Sequence, residues 1–309
     1  MTIDFEQAYL QWKASHEVVD QRRKLFIVGC AKSGTTWMLN LLNGHDEVVI
    51  SGEGGFAWRL LPILSQAFNA FNQHQRDHGH NDITILRDFE LMAALRSIID
   101  GQFVRYLGES GKEPSAVRIV GDKTPQHSVG IPVLNQLYPD ALFMHVVRDP
   151  RDVAVSAWHH FGRDMDNSER ERFARQYMTE TWPINVTRAR EAGTLLGDRY
   201  TEVRYEDLHA DEPDVVARVL RFIGVDDSEE AVGKCMNSGC FKKRSGGRNR
   251  GEEKNNEFLR RGVVGDWVNH LPADAVRQWT GAIADTMQSF GYDPAGTPGQ
   301  TSASDAAAA

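Results

Sequence analysis

Residues 25–37 read LFIVGCAKSGTTW. The apolar run from Leu25 to Val28 predicts a buried strand, Gly29 to Gly34 bound a loop, and Thr35 opens a helix. The first amides of a helix have no partner inside it and sit at the positive end of its dipole, so this junction can cradle phosphate oxygens. Gly29 and Gly34 have the spacing of the glycines in a Walker-type phosphate loop, and Thr35 and Thr36 add hydroxyls, but the lysine is Lys32, ahead of the second glycine. A lysine behind that glycine would lie along the β and γ phosphates of a nucleoside triphosphate. Lys32 approaches from the other side of the loop, where it can neutralise a bridging oxygen that leaves a shorter nucleotide. That placement fits transfer of a group other than the γ-phosphoryl. The plain structural alternative is a glycine turn that only closes strand onto helix.

Outward from this junction, strand-like apolar runs recur at residues 48–50, 117–120, 142–147 and 200–203, with helical patterns between most of them. The alternation predicts an α/β fold, a single domain whose central parallel sheet is flanked by helices and whose ligand crevice lies at the carboxyl ends of the strands. We expect that domain to span residues 1–293, with a flexible basic flap at about residues 242–257, and residues 294–309, rich in Pro, Gly, Ser and Ala, to form a disordered tail. Polar residues 73–82 read as an exposed loop between helices. A hydrophobic content of 41% with 25% charged residues suits an ordinary globular protein. No stretch approaches a membrane span, and the start lacks a signal-peptide pattern. The three cysteines, Cys30, Cys235 and Cys240, are too few for a disulfide framework. A cytoplasmic location is expected, with neither a membrane nor a nucleic acid as partner, because the net charge of −8 opposes binding to a duplex. Against that background the segment from Phe241 to Gly262 is a basic island, in which eight Lys and Arg side chains face Glu252, Glu253 and Glu257.

The second informative stretch is RDPRDVAVSAWHH, residues 148–160. Asp149 and Pro150 mark a helix start, which leaves Arg148 at a strand tip and Ser156 about two turns into the helix. An arginine fork and a hydroxyl facing one cavity would clamp a terminal phosphate. Pairing of Arg148 with Asp152 is the structural alternative.

Together the two motifs resemble those of the sulfotransferases that use 3′-phosphoadenosine 5′-phosphosulfate (PAPS). GCAKSGTTW is similar to their 5′-phosphosulfate loop, which implies donor contacts from Lys32, Ser33, Gly34, Thr35, Thr36 and Trp37. Arg148 and Ser156 have the eight-residue separation of the pair that holds the 3′-phosphate. FLRRGVVGDW, residues 258–267, resembles the C-terminal motif and implies that Arg260, Arg261 and Gly262 reach the same phosphate. Tyr205 in RYEDL and Phe241 in CFKK match the adenine-side aromatics. The resemblance runs in order over about residues 22–290.

The resemblance implies attack by an acceptor hydroxyl or amine on sulfur, release of adenosine 3′,5′-bisphosphate, and stabilisation of the bridging oxygen by Lys32. No metal is expected, since Lys and Arg supply the positive charge. Where cytosolic members carry Lys-Thr-His, GDKTPQH has Lys123-Thr124-Pro125. This form is closer to the carbohydrate and bacterial branches, in which a Glu after the second strand can be the base and a Lys at the position of Lys123 helps to bind. Glu53 stands at the place of that Glu, and His127 lies two residues beyond the missing His, so either is a candidate base. A glutamate base needs a raised pKa or a polarised hydroxyl. A helix-surface role for His127 and a capping role for Glu53 are the structural alternatives.

His74, His78 and His80 have metal-compatible spacing without an acid cluster beside them, and no metal site is expected there. The acceptor is expected to be a small hydroxylated metabolite, apolar or aromatic. Its pocket would draw on residues 57–88 and 164–181, with Trp58, Phe68, Phe71, Phe161 and Tyr177 as candidate walls or as core packing. The rival functions are an ATP-dependent small-molecule kinase and a non-catalytic nucleotide-binding protein. Oligomeric state, a homodimer included, stays open.

Overall fold

A computed structural model describes residues 4–79, 82–210, 212–254 and 259–296. Five strands, β1 (Arg23–Gly29), β2 (Val48–Gly52), β3 (Ile119–Lys123), β4 (Leu142–Val147) and β5 (Tyr200–Arg204), form one sheet in the order β2-β3-β1-β4-β5. Every pairing is parallel. The helices are α1 (Phe5–Asp20), α2 (Thr35–Leu42), α3 (Leu61–Asp77), α4 (Asp88–Glu109), α5 (Ile131–Leu137), α6 (Pro150–Phe161), α7 (Asn167–Gln176) and α8 (Trp182–Thr194). They continue with α9 (Tyr205–Ala210), α10 (Glu212–Ile223), α11 (Glu229–Gly239), α12 (Phe241–Arg244), α13 (Ala273–Ala282) and α14 (Ala284–Ser289).

A parallel sheet covered on both faces needs apolar residues at consecutive strand positions, and alternate side chains then enter opposite cores. Leu25 and Ile27 pack with Leu41 of α2, Val219 of α10 and Val232 of α11 on one face. Phe26 and Val28 pack with Ile99 and Phe103 of α4 and Leu134 of α5 on the other. A third cluster joins Val153 of α6 to Trp182 of α8, Trp267 and Trp279. The expected α/β architecture is therefore present.

The strand order places the chemistry. The chain crosses from β1 to β2 and β3 on one side of β1, then returns to β4 and β5 on its other side, so order reverses at β1. The loop after β1 thus lies between the ends of β3 and β4, which sets Lys32 between Lys123 and Arg148.

Two sequence expectations are corrected. Residues 73–77 continue α3, because Gln, His, Arg and Asp sustain a helix until Gly79, which has φ of 72°. The third strand begins at Ile119 rather than residue 117, although Val117 is buried. Residues 255–257 of the expected flap, residue 258 after it and residues 297–309 of the expected tail lie outside the described residues. Among the described residues no helix is long and apolar enough to cross a membrane.

Candidate active site

A cavity of about 680 Å³ opens at the carboxyl ends of the strands. Its floor is the loop after β1, closed by the amide of Ser33 donating to the carbonyl of Cys30 at 3.1 Å. Gly34 precedes α2 with φ of 101°, and a Cβ there would lie 2.5 Å from Cδ2 of Tyr205, so only glycine fits. The Tyr205 ring rests on the loop and meets Trp37 edge-on at 5.3 Å. Lys32, Gly34, Thr35, Thr36, Trp37 and Tyr205 all line the cavity. Burial, then the charges of Arg148 and Lys123, push the Lys32 ammonium down to about 8. Ser33 is wholly buried, and among the described residues its hydroxyl has no hydrogen-bond partner, nor do the buried Trp37 Nε1 and Arg148 Nε. Buried polar groups are ordinarily satisfied. Orphaned groups in the loop, in the helix it opens and at the facing strand tip fit an anionic ligand.

Asp149 caps α6 by accepting from the amide of Arg151 at 2.8 Å, which leaves Arg148 at the tip of β4. Arg148 donates to the carbonyl of Val263 at 3.0 Å, lies over the Tyr205 ring at 4.2 Å, and stands 3.4 Å from a carboxylate oxygen of Asp152. The pairing with Asp152 is thus present, and Arg148 and Ser156 both line the cavity. Asp152 also accepts the amides of Gly265 and Trp267, at 2.7 and 3.1 Å, and so ties the C-terminal segment to α6.

That segment brings Arg260, Arg261 and Gly262 into the wall of the cavity that Ser156 also lines. Asp266 pairs with both arginines. Burial alone would raise the Asp266 carboxyl, but the Arg260 hydrogen bond and neighbouring positive charge hold it at about 2. Phe241 sits against Gly262, where a Cβ would approach its ring to 2.6 Å. Arg248 braces the island by donating to the carbonyls of Glu252 and Arg260 at 3.0 and 2.8 Å. Arg250 lies over the Trp37 ring at 4.7 Å and lines the cavity with Arg244. Neither arginine was singled out from the sequence, where they were two charges among eight; only their packing marks them.

On the other side of Lys32 stands Glu53. Among the described residues, Lys32 and Glu53 are the only non-glycine residues with positive φ, 76° and 58°, and both line the cavity. L residues avoid this region, and departures from that rule concentrate at functional sites. The Glu53 carboxylate is paired with the ammonium of Lys123, whose own side chain is buried and does not line the cavity. Next to it Asp122 is fully buried, and burial lifts its carboxyl to about 6.

His127 points away from the cavity. Its ring is fully buried, stacks on Phe56 at 5.7 Å and meets Phe26 edge-on at 6.0 Å. Burial pushes its pKa down to about 3, and neither ring nitrogen has a hydrogen-bond partner among the described residues. The short 3₁₀ turn Pro125–Val129 turns Pro125 and Gln126 toward the cavity instead. Trp58, Arg59, His160 and Phe161 complete this end. Of the five aromatic residues expected at the acceptor pocket, Phe68, Phe71 and Tyr177 do not line it.

His74 and His78 have ring centroids 4.1 Å apart, and His80 lies outside the described residues. A different trio, His159, Glu253 and His270, has ligand-type atoms within 4.8 Å of one another. The Arg260 guanidinium already lies among them, 2.7 Å from Glu253 Oε1 and 3.3 Å from His270 Nε2, so this cluster holds an arginine.

Residues 24–229 match a family model described as "Sulfotransferase family". Protein-tyrosine sulfotransferase 2 of Gallus gallus is 25% identical over 284 residues, covering 89% of this chain and 70% of the relative. Nodulation protein NoeE of Sinorhizobium fredii is 28% identical over 138 residues, covering 42% of this chain, and the match spans only 30% of that relative's length. Among solved structures, a mouse sulfotransferase complexed with PAP superposes with a TM-score of 0.53 at 15% identity, covering 88% of each chain.

Proposed function

The chain belongs to the sulfotransferase family, and we propose that it transfers a sulfuryl group from PAPS to a hydroxyl or amine of a small-molecule acceptor, releasing adenosine 3′,5′-bisphosphate. The observation that carries this reading is the pair Lys32 and Glu53: a cation and a carboxylate, both on left-handed backbone, facing one cavity whose remaining charged lining residues are arginines. PAPS supplies a sulfuryl group activated by its link to the 5′-phosphate. The residues divide around Lys32. Ser33 and the first amides of α2 hold the 5′ side. Arg148, Ser156, Arg260, Arg261 and Gly262 hold the 3′-phosphate, and Trp37, Tyr205 and Phe241 flank the adenine. Lys32 opposes the negative charge that develops on the bridging oxygen. Glu53 accepts the proton of the acceptor, and Lys123 keeps its carboxylate in place.

His127, buried and neutral between Phe26 and Phe56, serves as packing in this scheme. Trp58 and Phe161 favour an acceptor with an apolar or aromatic body. The basic residues Arg244 and Arg250, which line the cavity, add positive charge beside the nucleotide. The reaction asks for no metal, and the expected setting is the cytoplasm.

Calorimetric titration with adenosine 3′,5′-bisphosphate, adenosine 5′-monophosphate and ATP, each with and without magnesium, tests the donor class. Magnesium-independent binding that requires the 3′-phosphate is expected. Preference for ATP with magnesium would replace this reading by a kinase, and binding without turnover of PAPS on any hydroxylated or amine acceptor would leave a nucleotide-binding protein.

A further inference from the structure

Glu53 is held on left-handed backbone by groups that lie outside the cavity, and the three residues that follow one another at the end of β3 do the holding. The parallel register sets Ser51 beside Asp122 and Gly52 beside Lys123, so the turn after β2 runs past the tip of β3. There the amide of Gly54 donates to Asp122 Oδ2 at 2.9 Å, and the amide of Gly55 donates to Thr124 Oγ1 at 3.2 Å. The Thr124 hydroxyl in turn donates to Asp122 Oδ1 at 2.6 Å. Both side chains are buried, at 0% and 1% exposure. Between them Lys123 takes the Glu53 carboxylate. Asp122, Lys123 and Thr124 therefore each grip one residue of the turn, at Gly54, Glu53 and Gly55 respectively.

We infer that Asp122 and Thr124 are positioning residues, a buried carboxylate and hydroxyl whose hydrogen bonds fix the 53–55 turn so that Glu53 faces the reacting acceptor. A buried carboxylate is costly to keep where apolar packing would serve the fold. Asp122 has His127 Nδ1 no nearer than 3.6 Å, and that imidazole is neutral, so the carboxylate is not kept for an ion pair with it. Its two oxygens are instead used by the turn and by the hydroxyl that grips the turn. An aspartate is needed because two acceptor oxygens must serve two donors; an asparagine offers one.

The inference rests on the assignment of Glu53 as base, and the test separates the two. Asp122→Asn, Thr124→Val, Thr124→Ser, Glu53→Gln and the double variant Asp122→Asn/Glu53→Gln are compared for turnover, for affinity toward adenosine 3′,5′-bisphosphate, and for hydrogen exchange at the Gly54 and Gly55 amides. Asp122→Asn and Thr124→Val should each lower kcat at least tenfold while nucleotide affinity stays within twofold. Protection of the two amides should fall, and Thr124→Ser should restore most of the rate. The double variant should be no slower than Glu53→Gln. Multiplicative losses in the double variant, or unchanged amide protection, would overturn the inference. If Glu53→Gln keeps its turnover the base assignment falls, and exchange still decides the anchoring: lost protection in Asp122→Asn upholds it and retained protection overturns it. Should Asp122→Asn fail to fold, Thr124→Val reads the same anchor through the Gly55 amide.

Discussion

Burial and the flanking charges of Arg148 and Lys123 bring the Lys32 ammonium down to about 8, so about half of the free protein carries a neutral amine there at pH 8. A phosphate bound at the loop restores the proton, because an anion beside the amine favours its charged form. Binding of adenosine 3′,5′-bisphosphate should then take up about half a proton at pH 8, about one-tenth at pH 7 and about nine-tenths at pH 9. Calorimetry in buffers of different ionisation enthalpy reads this number directly. Lys32→Arg keeps its charge at every one of these pH values and should abolish the uptake, even where affinity drops. The same group governs the rate: kcat/KM for the donor should fall about tenfold per unit above pH 8, since that parameter reports groups of the free protein. Uptake that does not change between pH 7 and 9, or that persists in Lys32→Arg, would refute the placement of Lys32 at the 5′ side of the nucleotide.

Arg148→Ala and Arg260→Ala should each weaken binding of adenosine 3′,5′-bisphosphate by roughly ten- to hundredfold, the worth of a charge-assisted hydrogen bond, and leave adenosine 5′-monophosphate nearly unaffected; discrimination as sharp as in the parent would contradict the clamp. Glu53→Gln should lower turnover more than tenfold with donor affinity retained, whereas His127→Leu should keep turnover within a few-fold, because the buried ring makes no hydrogen bond to lose. Lys112 donates to the carbonyls of Asn43 and His45 at 2.9 and 2.6 Å and to that of Val48. Lys112→Met should therefore destabilise the fold by about 1.5–3 kcal/mol in denaturant titration, without changing donor specificity.

The sheet was legible because β1, β2 and β4 carry short local runs of branched, aromatic or other apolar residues, as burial on both faces of a parallel sheet requires, while the half-buried edge strand β5 keeps only Tyr200, Thr201 and Val203 of that pattern. The cavity side formed by the loop after β1 and the start of α6 was legible for a similar reason. That loop is one continuous segment, and Arg148 and Ser156 are a strand tip followed by two helical turns, so local spacing brings both to the cavity. Residues 73–77 have the polarity of a loop, yet α3 extends through them, because a helix on an exposed surface needs no apolar residues there.

The base is a different kind of question. Glu53 and His127 are equivalent in the sequence, each a titratable residue after a strand. What separates them is direction: the turn after β3 presents Pro125 and Gln126 to the cavity and sends His127 between Phe26 and Phe56, while the amides of Gly54 and Gly55, donating to Asp122 and Thr124 at the end of β3, hold Glu53 on left-handed backbone at the cavity edge. Direction depends on contacts between residues about 70 positions apart in the chain, which spacing within a motif does not encode. The sequence by itself determined the strands, the strand-loop-helix junction at residues 25–37 and the order of the motifs, since these follow from local propensity and from glycines at a helix start. Only the tertiary structure decided which charges share the cavity, because the strand order β2-β3-β1-β4-β5 and the burial of single side chains are products of long-range packing.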